Sequence, residues 1–566
     1  MRVKPFPLSR AAVLGAVSLV ASLALATVGS HAASATGRPH NELLKQVLAD
    51  NEHEDFDSPT QSALCQSFIG RTNVYGNPAP SVDQIVGDTI VQAGSQTGCN
   101  AAQNETTIAV NPANPRNIVA GSNDYRVFNS RENRNDTTGW AYTSFDGGRT
   151  WSNLQLPHLT FATGGTGALS YMDAAGDPTI AFGPDNTVYY GNIVFSRALP
   201  FGPAFQMASA IAVNVSHDGG LTWSEPHILA LDGVDSTGTP QPTEVFNDKI
   251  WVGADLFSAR AYVTWTRYEF PGGNYLQSPI VVSASADLGD TWSAANQVAP
   301  TLAGFTGGIT PYDQGSNPRV GRDGTLYVAY EASVCSTLAC NQAGDRDATV
   351  VSTSHDHGAT FSHAIVDTNY DFPATLIGEN FRENSFPQLA YDPVVDRLYV
   401  TWNDDRNGQY DPNTGASIRT NGDNIVSSSR GGANWSAPVV VGTPQDEFFG
   451  AVAAYRGTVA VSSYTRHYDP DGYFLDYAYW RSSGTSGLGR ARIHRITTQS
   501  ADPRIQFLAI GPNGEEIHGV FIGDYSAMAI GTDLRIHPCW TDFRGRPGVT
   551  PPNQDAYTQS ISLRDD

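Results

Sequence analysis

Apolar residues along this chain come in short runs, and one arrangement recurs. A polar residue opens an apolar run, a turn of Gly, Pro, Asn and Asp follows, and a second apolar run returns. The pattern spans Glu105 to Asp124, Asp177 to Val194, Asp248 to Arg267, Asn317 to Ala332 and Phe386 to Arg406. Fainter copies run from Phe448 to Arg466 and from Asp524 to Arg544. Short runs rich in Val, Thr, Tyr and Trp and bounded by turn residues predict β-strands paired as hairpins. Seven copies predict seven sheet modules, or six if one faint copy is irregular.

A second pattern keeps phase with the first. The octet Ser-x-Asp-x-Gly-x-Thr-Trp is carried by Asp146, Gly148 and Trp151, by Asp218, Gly220 and Trp223, and by Asp287, Gly289 and Trp292. A fourth copy around Asp356 ends in Phe361, and a fifth has Arg430 in the aspartate slot before Gly432 and Trp435. In such a hairpin tip Asp accepts backbone N–H bonds, Gly takes the positive φ that other residues avoid, and Trp folds back as an apolar plug. The spacing defines a unit of about 70 residues, enough for a four-stranded blade. Each blade needs a neighbour for its apolar face, so a closed ring is the simplest outcome. The expected fold is an all-β propeller of four-stranded blades.

Composition agrees. With 55 Gly and 34 Pro, long regular helices are disfavoured, while 24 Phe, 24 Tyr and 10 Trp supply ample core. The formal charge of −22 and the presence of only three lysines, Lys4, Lys45 and Lys249, argue against nucleic acid as a partner. Residues 1–35 read as a secretory signal: a basic start, an apolar run from Ala11 to Val28, and Ala33-Ser34-Ala35 as the cleavage site. A membrane anchor is the alternative for that run. The later chain has no stretch of spanning length, so a secreted, monomeric protein is expected. Residues 36–103 form an N-terminal arm, with a short helix expected over 40–56 and an outer strand over 86–92 that locks the ring, and 104–566 form the propeller. Among five cysteines, Cys335 and Cys340 close a short loop, Cys65 and Cys99 are a candidate second pair, and Cys539 is left over.

The octets resemble the Asp-box, or BNR repeat, of the sialidase (neuraminidase) superfamily and other secreted propellers. The resemblance covers roughly residues 105–566, is specific for fold, and places the boxes on the blade periphery, away from the site. It implies three arginines that grip a substrate carboxylate, an aspartic acid as general acid/base, and a tyrosine nucleophile assisted by a glutamate. Arginine suits the first task because its planar fork binds a carboxylate bidentately. The family's first arginine sits in a Phe/Tyr-Arg-Ile-Pro motif, which Tyr125-Arg126-Val127-Phe128 matches at two positions.

In a propeller the first strand of each blade begins, and the second ends, on one face around the channel, where ligands usually meet. Those positions hold an acidic series, Glu105, Asp177, Asp248, Glu383 and Asp524, and a mixed series in which Asp-x-Arg recurs at Asp124 and Arg126, Asp404 and Arg406, and Asp542 and Arg544. Crowded carboxyls push one another's pKa values apart, as acid/base cleavage of a glycosidic bond requires. The same Asp–Arg pairs also serve to tie neighbouring blades together. Tyr464, Tyr468 and Tyr525 lie beside inner strands, as nucleophile candidates or as aromatic wall. Asp404, Asp405, Asn407 and Asp411, and Asp469, Asp471 and Asp476, are spaced to hold calcium or to form solvated loops; no other cofactor is expected.

The leading expectation is a sialidase-like exo-glycosidase acting on terminal acidic sugars of a glycoconjugate, with Asp124 as acid, Arg126, Arg406 and Arg544 as carboxylate clamps and Arg466 in reserve. Two alternatives stand beside it: a non-catalytic propeller that binds carbohydrate or protein, and a glycosidase or polysaccharide lyase acting on another glycan.

Overall fold

A computed structural model describes Leu43, residues 73–76, 79–87, 90–92 and 95–97, and the stretch 101–564 apart from 371, 373–375, 377–380, 470–472, 504–507, 511–515, 519–520 and 546–553. The expected signal segment, all of the expected arm helix except Leu43, and the Cys65 and Cys99 pair lie outside the described residues.

Seven antiparallel sheets follow one another along the chain. Blade 1 consists of Gln103–Val110, Ile118–Asn129, Arg134–Ser144 and Thr150–Gln155, with Asn73–Gly76 added outside. Blade 2 uses Ala174–Phe182, Val188–Phe195, Ser209–Ser216 and His227–Asp232, and blade 3 Val245–Ala254, Ala261–Glu269, Ile280–Ser285 and Asn296–Gln297. Blade 4 uses Gly308–Val320, Leu326–Cys335, Arg346–Ser354 and Ser362–Thr368, and blade 5 Gln388–Asp392, Arg397–Asp404, Asp423–Ser429 and Val439–Val441. Blade 6 uses Glu447–Tyr455, Thr458–Thr465, Asp476–Ser483 and His494–Arg495. Blade 7 takes Ala527–Ile530, Arg535–Asp542 and Asp555–Thr558 from the end of the chain and Gln84–Ile85 from the arm. The faint copies are therefore blades 6 and 7. The locking strand lies just upstream of the 86–92 stretch, whose residues 90–92 instead form a small hairpin with 95–97.

Burial explains why the sheets close into a ring. A separate apolar core fills each of the seven blade interfaces, including the one between the last blade and the first, where Ala527, Cys539 and Ala556 meet Ile108, Trp140 and Tyr142. Trp540 of blade 7 stacks on Tyr477 of blade 6 with rings 5.2 Å apart and nearly parallel. Each sheet hides both faces against its neighbours, so an open stack would leave two apolar faces in water.

The octets are the hairpin tips between third and fourth strands. Asp218 accepts the Leu221 and Thr222 N–H groups at 2.9 Å each and the Thr222 hydroxyl at 2.6 Å, while Ser216 Oγ accepts the Gly220 N–H at 2.8 Å. Gly220, at φ 93°, lies so close to the preceding blade that a Cβ there would stand 2.7 Å from Val119 Cγ2. The aspartate thus organises the turn while the glycine seats it on the neighbour. In the fifth copy Trp435 keeps its bond to the Gly432 carbonyl at 2.8 Å, although Arg430 replaces the aspartate.

At the opposite face the inner strands share another device. Glu105, Asp177, Lys249 and Phe449 all hold φ near 50°, in the left-handed region, and Gly315 and Gly523 hold 66° and 96°. The strand registers slip beside Glu105, Lys249, Gly315 and Phe449. Such a bulge re-aims the side chains around it.

The bridge between Cys335 and Cys340 is formed, and Cys539 is a free, buried thiol. No helix among the described residues is long and apolar enough to cross a membrane.

Candidate functional site

The bulged positions meet on the propeller axis. Lys249 of blade 3 forms an ion pair with Asp524 of blade 7, and its Nζ also lies 3.8 Å from both Asp177 and Asp248. Arg382, from the segment leading into blade 5, grips the same Asp524 bidentately, Nε to Oδ1 at 2.7 Å and Nη2 to Oδ2 at 2.6 Å. Blades 3, 5 and 7 are not neighbours in the ring, so these pairs cross the channel. Around them, Glu105 of blade 1 accepts the Asp524 N–H and the Asn123 carboxamide, each at 2.9 Å. Asn123 in turn accepts the Asp177 N–H, and Asp177 accepts the Lys249 N–H at 3.2 Å. Behind the ions, the Tyr525 hydroxyl donates to the Pro178 carbonyl at 3.1 Å, and its ring lies 5.1 Å from that of Trp251.

Burial and charge set the protonation of this cluster. Burial, with Glu105 and Asp524 adding to it and Lys249 opposing, holds the Asp177 carboxyl well above the usual carboxylate range, and Asp177 hydrogen-bonds Glu105. Burial alone would also raise Asp524, but Arg382 and Lys249 outweigh it and hold that carboxyl below its usual range. Glu383 is pushed well up by burial and by the nearby Asp446 and Asp524, against the pull of Arg466. The site therefore sets carboxyls whose proton affinity is raised beside one whose affinity two cations lower, a division that lets carboxyls take different roles. Arg382 is the member open to solvent: its side chain is 31% exposed, against 6% for Lys249 and 2% for Asp524. It also lies over the Phe521 ring.

The residues singled out from the Asp-x-Arg pattern sit elsewhere. Asp124 is fully buried and receives Arg126 Nη2 and the Tyr142 hydroxyl, both at 2.6 Å. Arg126 also bonds Asn153 of the blade's outer strand and stacks on Trp140, 3.6 Å from its ring centre. Arg406 binds Asp404 and reaches Asp367 of blade 4, and Arg544 binds Asp542 and reaches Asp83 and Thr498. The same carboxylates accept the Trp402 and Trp540 indole N–H groups. These pairs tie strands and blades together, each of Arg126, Arg406 and Arg544 being held by its own aspartate. Arg466 is nearer the axis, bound to Asp446 at 2.6 Å and felt by Glu383. The acidic series does converge: Glu105, Asp177, Asp248, Glu383 and Asp524 all belong to the axial cluster or its immediate field.

Of the tyrosines, Tyr464 is buried in the interface between blades 6 and 7, with its hydroxyl on the Thr541 carbonyl; Tyr468 packs on His467 and lies under Arg495. The loops considered for calcium use their oxygens internally: Asp405 receives the Asn421 N–H and the Tyr410 hydroxyl, Asp411 caps its own turn, and Asp476 receives Arg495 and Thr497. Asp471 lies outside the described residues. Among the described residues no group of three or more His, Cys, Asp or Glu is arranged to hold a metal ion.

Arg382 escaped the sequence reading because it lies outside both repeated series. Lys249 was legible: apart from Lys4 and Lys45 it is the sole lysine, and it directly follows the strand-opening Asp248. It is Lys249, not Asp248, that occupies the slot held by Glu105 and Asp177.

No family model and no curated protein matches the chain. Solved structures resemble it at low identity. A protein of unknown function from Dyadobacter fermentans is 12% identical, with a TM-score of 0.40 over 68% of this chain and 94% of its own. The α-L-arabinofuranosidase of Fusarium graminearum complexed with arabinobiose is also 12% identical, with a TM-score of 0.40 over 69% of this chain and 92% of its own. The Trypanosoma rangeli sialidase in complex with the inhibitor DANA is 12% identical, with a TM-score of 0.37 over 70% of this chain and 57% of its own.

Proposed function

We propose that the protein is a glycoside hydrolase of sialidase type that removes a terminal acidic sugar at the axial cluster. One observation carries this reading: cations fixed across the channel, on Asp524, stand within 3.8 Å of a buried carboxyl, Asp177, whose proton affinity burial raises. In this reading Arg382 receives the sugar's carboxylate, with Lys249 adding charge behind it. Asp177 donates its proton to the glycosidic oxygen as the bond to the leaving group breaks. Lys249, whose Nζ lies 3.8 Å away, then steadies the carboxylate left behind, and water adds to the anomeric carbon and returns a proton to Asp177. The protein's overall negative charge repels an anionic substrate, so the two cations must supply the local attraction. Asp124, Arg126, Arg406 and Arg544 enter as positions that stiffen the blades, and Arg466 as support for Glu383 and Asp446.

The test is release of a fluorogenic aglycone from a panel of sialosides, glucuronides and arabinofuranosides by the purified protein and by Arg382→Ala and Asp177→Asn. Sialoside release that Asp177→Asn abolishes and Arg382→Ala lowers by about 10- to 100-fold supports the proposal. Release confined to arabinofuranosides overturns the acidic-sugar assignment, and no release from any substrate overturns the enzymatic one.

A second reading, binding without cleavage, is favoured by one feature: Asp524 already engages both Arg382 and Lys249, so the axis is plugged by the protein's own ions. Binding of a sialoside without turnover would select it.

A further inference from the structure

Blade 5 differs from the other blades in the connection between its second and third strands, where Gln409–Tyr410 and Ser417–Arg419 pair as an extra hairpin. Arg419 fastens this insertion to the Pro444 carbonyl on the far side of the outer strand Val439–Val441. Between the insertion, that strand and the short helix Thr485–Leu488 of blade 6 lies an open cavity of about 480 Å³. Small-molecule sites typically occupy about 300–1,000 Å³. None of the axial residues lines it.

The lining mixes two kinds of surface. Asn407, Asn421, Asp423 and Thr443 supply polar lining, and Val440, Trp480 and Leu488 apolar lining. Asn407 Nδ2 is held on Asp423 at 2.6 Å, which fixes the carboxyl in place. Asn421 Oδ1 is a buried acceptor that receives no hydrogen bond from the protein. A buried carbonyl oxygen without a donor is costly, and a hydroxyl from a bound molecule relieves it. Glu447 stands behind Asp423, pinned by the hydroxyls of Thr443 and Thr465 and by the Thr443 N–H. Carboxyl and carboxamide groups suit adjacent sugar hydroxyls, the apolar lining suits the C–H face of a ring, and the Asp423 carboxyl disfavours an anion.

We infer that this cavity binds a neutral sugar unit, at a site separate from the axis. Its ligand preference is thus opposite to that of the axial cations, and it is independent of whether the axis cleaves anything.

The experiment uses calorimetry and saturation-transfer NMR on the whole protein with methyl galactoside, methyl arabinofuranoside and methyl glucoside, and free sialic acid as the anionic control. At least one neutral glycoside should bind wild type and Arg382→Ala equally. Its affinity should fall about tenfold or more in Ala491→Trp, which fills the cavity, and also fall in Asn421→Ala, which removes the orphan acceptor; tenfold corresponds to about 1.4 kcal/mol. Ala491 lines the cavity and is only partly buried, so the variant's fold is checked by its unfolding midpoint. Absence of binding by all three glycosides, binding indifferent to both cavity variants, or binding lost in Arg382→Ala would overturn the assignment.

Discussion

The axial cluster and the Asp-x-Arg pairs use the same chemistry to different ends. In both, a buried aspartate accepts a bidentate arginine at about 2.6–2.9 Å. Asp124 and Arg126 are two apart on one strand of blade 1, and their other partners, Tyr142, Asn153 and Trp140, come from the same blade. Asp524 instead depends on two other blades for its partners, and Arg382 keeps nearly a third of its side chain in water. A locally satisfied pair stiffens a blade; a pair assembled across the axis creates a place where a ligand's charge can compete. The Asp-x-Arg motif repeats because three blades need the same brace.

The severest challenge to this contrast is Asp524→Asn, which strips the shared counter-charge from Lys249 and Arg382. Breaking a buried ion pair costs about 3–5 kcal/mol, so urea unfolding should show a large loss together with abolished glycosidase turnover. Arg126→Ala should cost a comparable amount, about 3–5 kcal/mol, because it strands buried Asp124; kcat of the folded fraction should stay at the wild-type value. If kcat collapsed, Arg126 would belong to the site after all. Arg382→Ala should lower the unfolding midpoint less than Arg126→Ala, because Lys249 still pairs with buried Asp524, but reduce kcat/KM on an acidic sugar by about 10- to 100-fold, the worth of a charge-assisted hydrogen bond.

A fourth measurement concerns the acids between blades 5 and 6. Burial pushes Glu447 up to about 8, Asp405 to about 7 and Asp423 to about 6. Since the folded state holds these protons more tightly than the unfolded one, the three groups' contribution to stability is fully present below the ordinary carboxyl range and is lost as pH rises through about 6 to 8. Urea midpoints should therefore be higher at pH 5 than at pH 8.5, and Glu447→Gln should flatten the slope; an unchanged slope counts against the assignment. The smallest effect belongs to Asp218→Ala in an octet, where an exposed turn loses its acceptor: a slight fall in Tm with turnover untouched.

Much of the architecture could be read from the chain because each unit repeats its own local instructions. The octets mark third-to-fourth turns wherever Asp, Gly and Trp coincide, and the strand pairs persist in blades 6 and 7 after the octets fade. The acidic series was readable for the same reason, since Glu105, Asp177 and Asp524 open equivalent strands. What could not be read is contact across the axis. Arg382 meets Asp524 over 142 residues of sequence, with no repeat to announce it. The recurrence of Asp124-x-Arg126 could be read from the chain, but not that each arginine would be taken up by its own aspartate.

One consequence follows from Gln84–Ile85 completing blade 7. Gln103, just beyond them, also accepts the N–H of Ala556, 453 residues further along. During synthesis this segment emerges long before the strand it must join, so the growing protein carries an open β edge until its final blade exists. The ring therefore cannot close before residues 555–558 exist, and a chain cut short near residue 550 would be left as an arc with two sticky ends.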